Sequence, residues 1–115
     1  MNARPTSGTL THMTRPTKLE GLVVEAWLAQ HAEWERPQTT SIARTYKLPD
    51  FSTALAFVVR VGLAAEKADH HPDVELGWGK ARFLWSTHDA HGLTKLDLEL
   101  AETCDTIYQS MTQHP

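Results

Sequence analysis

Apolar residues recur along the chain with two periods, helical and alternating, and together these mark out seven elements. Thr17 and Glu20 have the Thr-x-x-Glu spacing of a capping box, in which each side chain satisfies a free backbone N–H. Leu19, Leu22, Val23, Ala26 and Trp27 follow at helical spacing, so a first helix is expected from Thr17 until the pattern fades near Gln30 and His31. Two strands come next, Trp34 to Arg36 and Thr40 to Leu48, with Pro37 and Gln38 between them. The longer one places Ile42, Arg44, Tyr46 and Leu48 on one face and Ala43, Thr45 and Lys47 on the other. Asp50 is a natural N-cap for a second helix, whose apolar stripe is Phe51, Ala54, Leu55, Val58, Gly62 and Ala65 and which must end before Pro72. Val74, Leu76 and Trp78 alternate, as do Ala81, Phe83, Trp85 and Thr87, and a tight turn near Gly79-Lys80 makes the two runs a hairpin. A last helix starts at Thr94. Thr94 and Asp97 form a second capping-box pair, Leu93 and Leu98 have staple spacing, and Leu100, Ala101, Cys104, Ile107, Tyr108 and Met111 continue the stripe. The order α-β-β-α-β-β-α predicts an α+β fold, a two-layer sandwich with a four-stranded antiparallel sheet carrying three helices on one face.

Composition narrows what such a domain can do. The chain has 115 residues, a formal charge of −3, seven histidines and one cysteine. One domain fits this length and hides roughly two-thirds of its unfolded surface. Residues 1–16, rich in Thr, Pro, Ser and Gly, read as a disordered leader; 17–111 as the single domain; 112–115 as a flexible tail. The mild acidity argues against nucleic acid as a partner. No apolar run has the length of a membrane span and no signal peptide is visible. A lone Cys104 makes no internal disulfide, which suits a reducing cytoplasm.

The histidines are the unusual feature. His70, His71, His88 and His91 lie in one short stretch. Pairing Trp78 with Ala81 across the hairpin, and extending that register backwards, sets His71 level with His88. Asp69-His70-His71-Pro72 and Thr87-His88 are therefore expected to meet at one end of the sheet, with Asp97 within reach in the first turn of the last helix. Imidazoles titrate near neutral pH and can serve as acid on one side of a small polar ligand and base on the other. Glu66, Asp69 and Asp97 are carboxylates that could orient them. Each feature also has a plainer explanation: a loop histidine is usually solvated, Asp97 is accounted for by capping, Trp78, Phe83 and Trp85 suit a core, and Cys104 falls on an apolar stripe. A zinc site from His88-x-x-His91 with His70 or His71 is the competing chemistry, although neighbouring His70 and His71 tend to point apart. A cysteine nucleophile fits less well, because Cys104 lies far from a helix N-terminus.

The residues Glu66-Lys67-Ala68-Asp69-His70-His71-Pro72, then Trp78, Ser86-Thr87-His88, Gly92-Leu93-Thr94 and Asp97 resemble the pterin-4a-carbinolamine dehydratases. Glu66, His70, His71, Pro72, Trp78, His88 and Asp97 satisfy every position and gap of that family's pattern, and a weaker likeness runs from about residue 18 to 110. The resemblance implies the same α-β-β-α-β-β-α fold, assembly as homodimers or homotetramers, and loss of water from 4a-hydroxytetrahydropterin to give quinonoid dihydropterin. That reaction recycles the pterin of aromatic amino-acid hydroxylases without metal or organic cofactor. It also implies roles: His70 and His88 as the acid/base pair at the hydroxyl, His71 as a pterin-binding and proton-transfer partner steered by Glu66, and Asp97 and Asp69 orienting the ring or an imidazole. Pro72 fixes the backbone and Trp78 shapes the pocket. Two positions depart from the family: Val74, where many members have an aromatic, and Leu96, where some have an arginine. The alternative on the same fold is a non-catalytic factor, either a dimerisation partner of a transcription factor or an assembly protein for Rubisco. Relatives of the assembly kind tend to lose the histidine motif.

Overall fold

The structure, a computed structural model, describes residues 17–112. The leader over 1–16 and residues 113–115 of the tail lie outside the described residues, while Thr112 closes the last helix. The elements are α1 (Gly21–Gln30), β1 (Glu35–Gln38), β2 (Ser41–Lys47), α2 (Phe51–Ala68), β3 (Asp73–Gly77), β4 (Lys80–Trp85) and α3 (Lys95–Thr112), with a short 3-10 turn at His88–Ala90 before α3. All strand pairs are antiparallel and the sheet order is β1-β2-β4-β3. The α+β sandwich expected from the apolar pattern is the fold observed.

The central pair β2 and β4 carries the core. Ile42 pairs with Trp85, Arg44 with Phe83 and Tyr46 with Ala81, so one face presents a continuous, largely apolar row. Ala54, Phe57, Val61 and Ala65 of α2 and Leu98, Ala101 and Cys104 of α3 pack onto it in one buried cluster. Phe57 meets Tyr46 and Phe83 edge-on, at centroid distances of 4.8 and 5.3 Å. Several polar groups on this face meet at one carboxylate. Asp105 of α3 accepts from Arg44 Nη1 at 2.7 Å, Tyr46 OH at 2.6 Å and Trp34 Nε1 at 3.0 Å, which ties α3 to both β2 and the approach to β1. Burial, the largest cause, holds the Tyr46 hydroxyl far above the ordinary phenol range, so it stays a donor to that carboxylate.

Several sequence expectations need correction. The first helix does not begin at Thr17. Lys18 bridges to Thr94, Leu19 N–H donates to the Leu93 carbonyl at 2.8 Å, and α1 starts after Glu20, which makes no side-chain cap bond. Backbone pairing to the segment before α3 thus holds this stretch extended in place of a capping box. The buried stripe of α1 is Val24 with half-buried Trp27 and Leu28, leaving Leu22 84% exposed. In α2 the buried residues are Ala54, Phe57, Val61 and Ala65, while Phe51 and Leu55 face outward. Both helices carry apolar residues on more than one side, and periodicity alone does not say which side meets the sheet. Pro37 and Gln38 belong to β1 rather than to the turn after it. The hairpin turn is Trp78-Gly79, with Gly77 paired to Lys80 and Gly79 at φ 73°. A positive φ at the second turn position favours glycine, and that selects this turn over Gly79-Lys80. The register therefore shifts by two residues, which leaves Val74, opposite Phe83, and Leu76, opposite Ala81, on the expected face but moves Trp78 out of the strand into the turn.

Candidate active site

The end of α2 sets up the first half of the site. Asp69 adopts a left-handed conformation (φ 53°, ψ 43°), its N–H donates to the Glu66 carbonyl and the His70 N–H donates to the Ala65 carbonyl, both at 3.1 Å. This pair of bonds is the Schellman motif, which stops the helix and turns the chain sharply. The turn sends His70 inward and leaves His71 at the surface, before Pro72 leads into β3.

The second half comes from the end of β4. Thr87 N–H and the Gly92 carbonyl pair at 3.2 Å, closing the loop over residues 88–91, with His91 left-handed at its tip (φ 56°). Thr94 is the residue before α3 and Asp97 lies in the first turn of that helix. Thr94 N–H donates to Asp97 Oδ2 at 2.9 Å, so the expected cap forms, but only by half. The Thr94 hydroxyl turns instead toward Thr87 Oγ1 at 3.0 Å, while Thr87 Oγ1 donates to Asp97 Oδ2 at 2.6 Å.

Asp97 is 0% exposed, and its other oxygen, Oδ1, accepts from His70 Nε2 at 2.5 Å. A buried carboxylate is unfavourable unless several donors satisfy it; here Thr87, Thr94 and His70 do so from three different segments. Because a carboxylate only accepts, the His70 proton on this bond sits on Nε2, and Nδ1 is left for a ligand. The ring is further fixed by stacking near Trp85, with centroids 5.9 Å apart and planes at 16°. His71 has a second, exposed dyad: Nε2 donates to Glu66 Oε1 at 2.7 Å. Asp69, His70, His71, Ser86, Thr87 and His88 line one depression of about 320 Å³. That volume is at the small end of ligand pockets.

Of the residues singled out from the sequence, His70, His71, His88 and Asp69 are thus brought to one depression, with Asp97 and Glu66 behind two of the imidazoles. Pro72 links the pair to β3. Trp78 is not brought there. It sits in the β3–β4 turn at the other end of the hairpin, 75% exposed and about 15 Å away along the strand. Among the described residues no three His, Cys, Asp or Glu side chains converge as a metal site. Thr87, expected at this end of the sheet but given no role there, is buried and donates to Asp97. Its signal was its place at the end of the core-facing row Ala81, Phe83, Trp85, where a hydroxyl needs a buried partner.

Comparisons with known proteins bear on the family and the fold. The profile of the family described as pterin 4 alpha carbinolamine dehydratase matches residues 17–107. A protein of Roseiflexus sp. (strain RS-1) is 43% identical over 91 residues, 79% of this chain and 97% of its own. One of Hahella chejuensis is 36% identical over 96 residues, 81% of this chain and 86% of its own. Both carry the name "putative pterin-4-alpha-carbinolamine dehydratase". The crystal structure of a transcriptional coactivator/pterin dehydratase from Brucella melitensis superposes with a TM-score of 0.76 at 30% identity, covering 80% of this chain and 99% of that one. A pterin dehydratase-like RuBisCO assembly factor of the alpha-carboxysome shares the fold, with a TM-score of 0.58 at 12% identity over 68% of this chain and 92% of that one.

Proposed function

The chain belongs to the pterin 4 alpha carbinolamine dehydratase family, and we propose that it dehydrates 4a-hydroxytetrahydropterin to quinonoid dihydropterin at the depression shared by His70, His71 and His88. The observation that carries this reading is His70 held on buried Asp97 with one ring nitrogen left for a ligand. In the reaction a protonated imidazole donates to the 4a-hydroxyl, the C4a–O bond breaks and water leaves. The N5 lone pair forms the C4a=N5 double bond, and the N5 proton passes to a second imidazole acting as base. His70 and His88 are assigned this pair. His71, held by Glu66, and Asp69 are assigned to binding the ring, with Pro72 fixing the backbone that presents them. Trp78, at the far end of the hairpin, takes no part within a single chain. The imidazoles supply the acid and base, and the scheme calls for no metal or organic cofactor.

The same reading makes an aromatic amino-acid hydroxylase the source of the substrate, and the cytoplasm the location, in keeping with the free, buried thiol of Cys104. Among the described residues no helix is long and apolar enough to cross a membrane. The test is a dehydration assay on freshly generated 4a-hydroxytetrahydropterin. Wild type is expected to accelerate the reaction, and the His70→Ala, His88→Ala double variant to lose about a hundredfold or more, the range for removing general acid/base groups. A double variant as fast as wild type overturns the assignment. A second reading, an assembly or dimerisation factor, is favoured by the coactivator name of the Brucella structure. A stoichiometric protein partner recovered together with absent dehydration would select it.

A further inference from the structure

The three histidines assigned to the reaction are not equally held. His70 Nε2 rests on Asp97 and His71 Nε2 on Glu66, whereas exposed His88 has no such carboxylate among the described residues. Its direction is therefore set by its backbone. That backbone is a loop whose neck is one antiparallel bridge, Thr87 with Gly92, joined by bonds of 3.2 and 3.4 Å. Inside the loop the Ala90 N–H donates to the Thr87 carbonyl at 3.2 Å and the His91 N–H to the His88 carbonyl at 3.0 Å. These bonds shape the loop, but they do not fix its tilt on the sheet.

A second segment meets the neck from outside. Lys18 is the bridge partner of Thr94, and the Leu19 N–H donates to the Leu93 carbonyl at 2.8 Å. Gly92 is then a diagonal neighbour of Lys18 on the same face, within reach of a long side chain. The Lys18 side chain does cross it. A Cβ at position 92 would lie 2.9 Å from Lys18 Cε and 3.1 Å from its Cδ and Cγ, closer than unbonded carbons pack. The stem thus takes the space that a side chain would occupy. Gly92 is buried while Lys18 is exposed, as expected for a lysine that lays its methylenes on the protein and keeps its ammonium in water.

We propose that Lys18 is a positioning residue for His88: its methylene stem, laid across Gly92, pins the neck of the loop and so the direction of that imidazole. The inference rests on the dehydratase reading, in which His88 must stand within proton-transfer reach of the substrate. A small displacement of such a group costs much of the rate. The loss falls on kcat rather than KM when the binding contacts are kept. The stem does this work and the charge does not, because it is the stem that touches Gly92.

The experiment measures kcat and KM for dehydration of 4a-hydroxytetrahydropterin in wild type, Lys18→Ala and Lys18→Met, and repeats the alanine change in a His88→Ala background. Lys18→Ala is expected to lose about tenfold in kcat at little change in KM, with a thermal melt to show that it is folded. Lys18→Met keeps an unbranched stem without the ammonium and is expected to stay within about twofold of wild type. In the His88→Ala background Lys18→Ala is expected to cost less than about twofold more, because the group it positions is gone. A readout besides rate is the imidazole resonance of each histidine by NMR. In Lys18→Ala that of His88 is expected to move, and that of His70, held on Asp97, to stay. With wild type active, an equal loss in both backgrounds, a methionine variant as slow as the alanine variant, or an unmoved His88 resonance overturns the positioning role alone. A wild type that does not accelerate dehydration removes the dehydratase reading and the role with it.

Discussion

Removing the Asp97 carboxylate takes away two things at once, a helix cap and the anchor of an imidazole. Asp97→Ala leaves the Thr94 N–H and the Thr87 hydroxyl without their acceptor in a buried place. The expected cost is about 2–3 kcal/mol, from the lost cap and the stranded donors, measured as a lower urea midpoint at unchanged slope. Asp97→Asn can still accept one of those bonds, so it is expected to unfold at higher urea than Asp97→Ala. Its dehydration rate should nevertheless fall well below wild type, because an amide can turn its NH2 toward His70 and no longer fixes the Nε2 proton. An Asn variant with wild-type rate would show that Asp97 acts on the fold only. The double duty of this residue was half legible. Thr94-x-x-Asp97 announced a cap and the family pattern named the aspartate, but that one carboxylate serves both depends on His70 arriving from α2. The arrival is set by the left-handed Asp69, a conformation open to aspartate that no periodicity reveals. Trp78 shows the reverse case: its spacing matches the family pattern, and the turn chemistry of Gly79 puts it at the far end of the sheet from the histidine site.

At the scale of elements, order and type were readable because β2, β3 and β4 alternate and each helix repeats with its own period. What was not readable was which stripe of α1 and α2 meets the sheet, since Phe51 and Leu55 are as apolar as Phe57 and Val61. In α3 the stripe was unambiguous, because its other faces are charged or polar, and Leu100, Ala101 and Cys104 are all buried as expected. Burial, more than any other cause, pushes the Cys104 thiol up to about 12 from an ordinary value of 9.0. Below pH 9 both folded and unfolded chains keep the proton, and stability is unaffected by this group. Between 9 and 12 the unfolded chain releases it and the folded chain does not, so unfolding gains from rising pH. Stability is therefore expected to hold up to about pH 9 and then to decline, in urea titrations stepped from pH 8 to 11. Cys104→Ala should be less stable at pH 8, where it leaves a small cavity, and should show a shallower decline. Tyr46, raised by burial as well, supplies an alkaline loss that the variant retains. A variant and a wild type with equal slopes would mean that the thiol ionises freely in the folded protein.

The stripe that α2 turns outward matters at the scale of the whole molecule. Phe51, Leu55, Val59 and Leu63 recur every fourth residue on one side of an 18-residue helix, and Leu63 is 66% exposed. Single exposed apolar residues are ordinary, but a continuous row of large ones on a rigid helix marks a contact surface. We propose that this row is buried against a second copy of the chain. Light scattering is expected to give wild type a mass at least twice that of the 12.9 kDa chain. Val59→Glu with Leu63→Glu should bring it to one chain, since charges placed in an apolar interface lose their hydration without gaining partners. The dissociated variant is expected to keep its dehydratase activity, because Asp97, His70, His71 and His88 all come from one chain and α2 touches the site through its last turn rather than through this face. A wild type that scatters as a single chain sinks the assembly. A variant that is monomeric and folded but inactive would show that the site needs a second copy, and would move the catalytic unit from the chain to the oligomer.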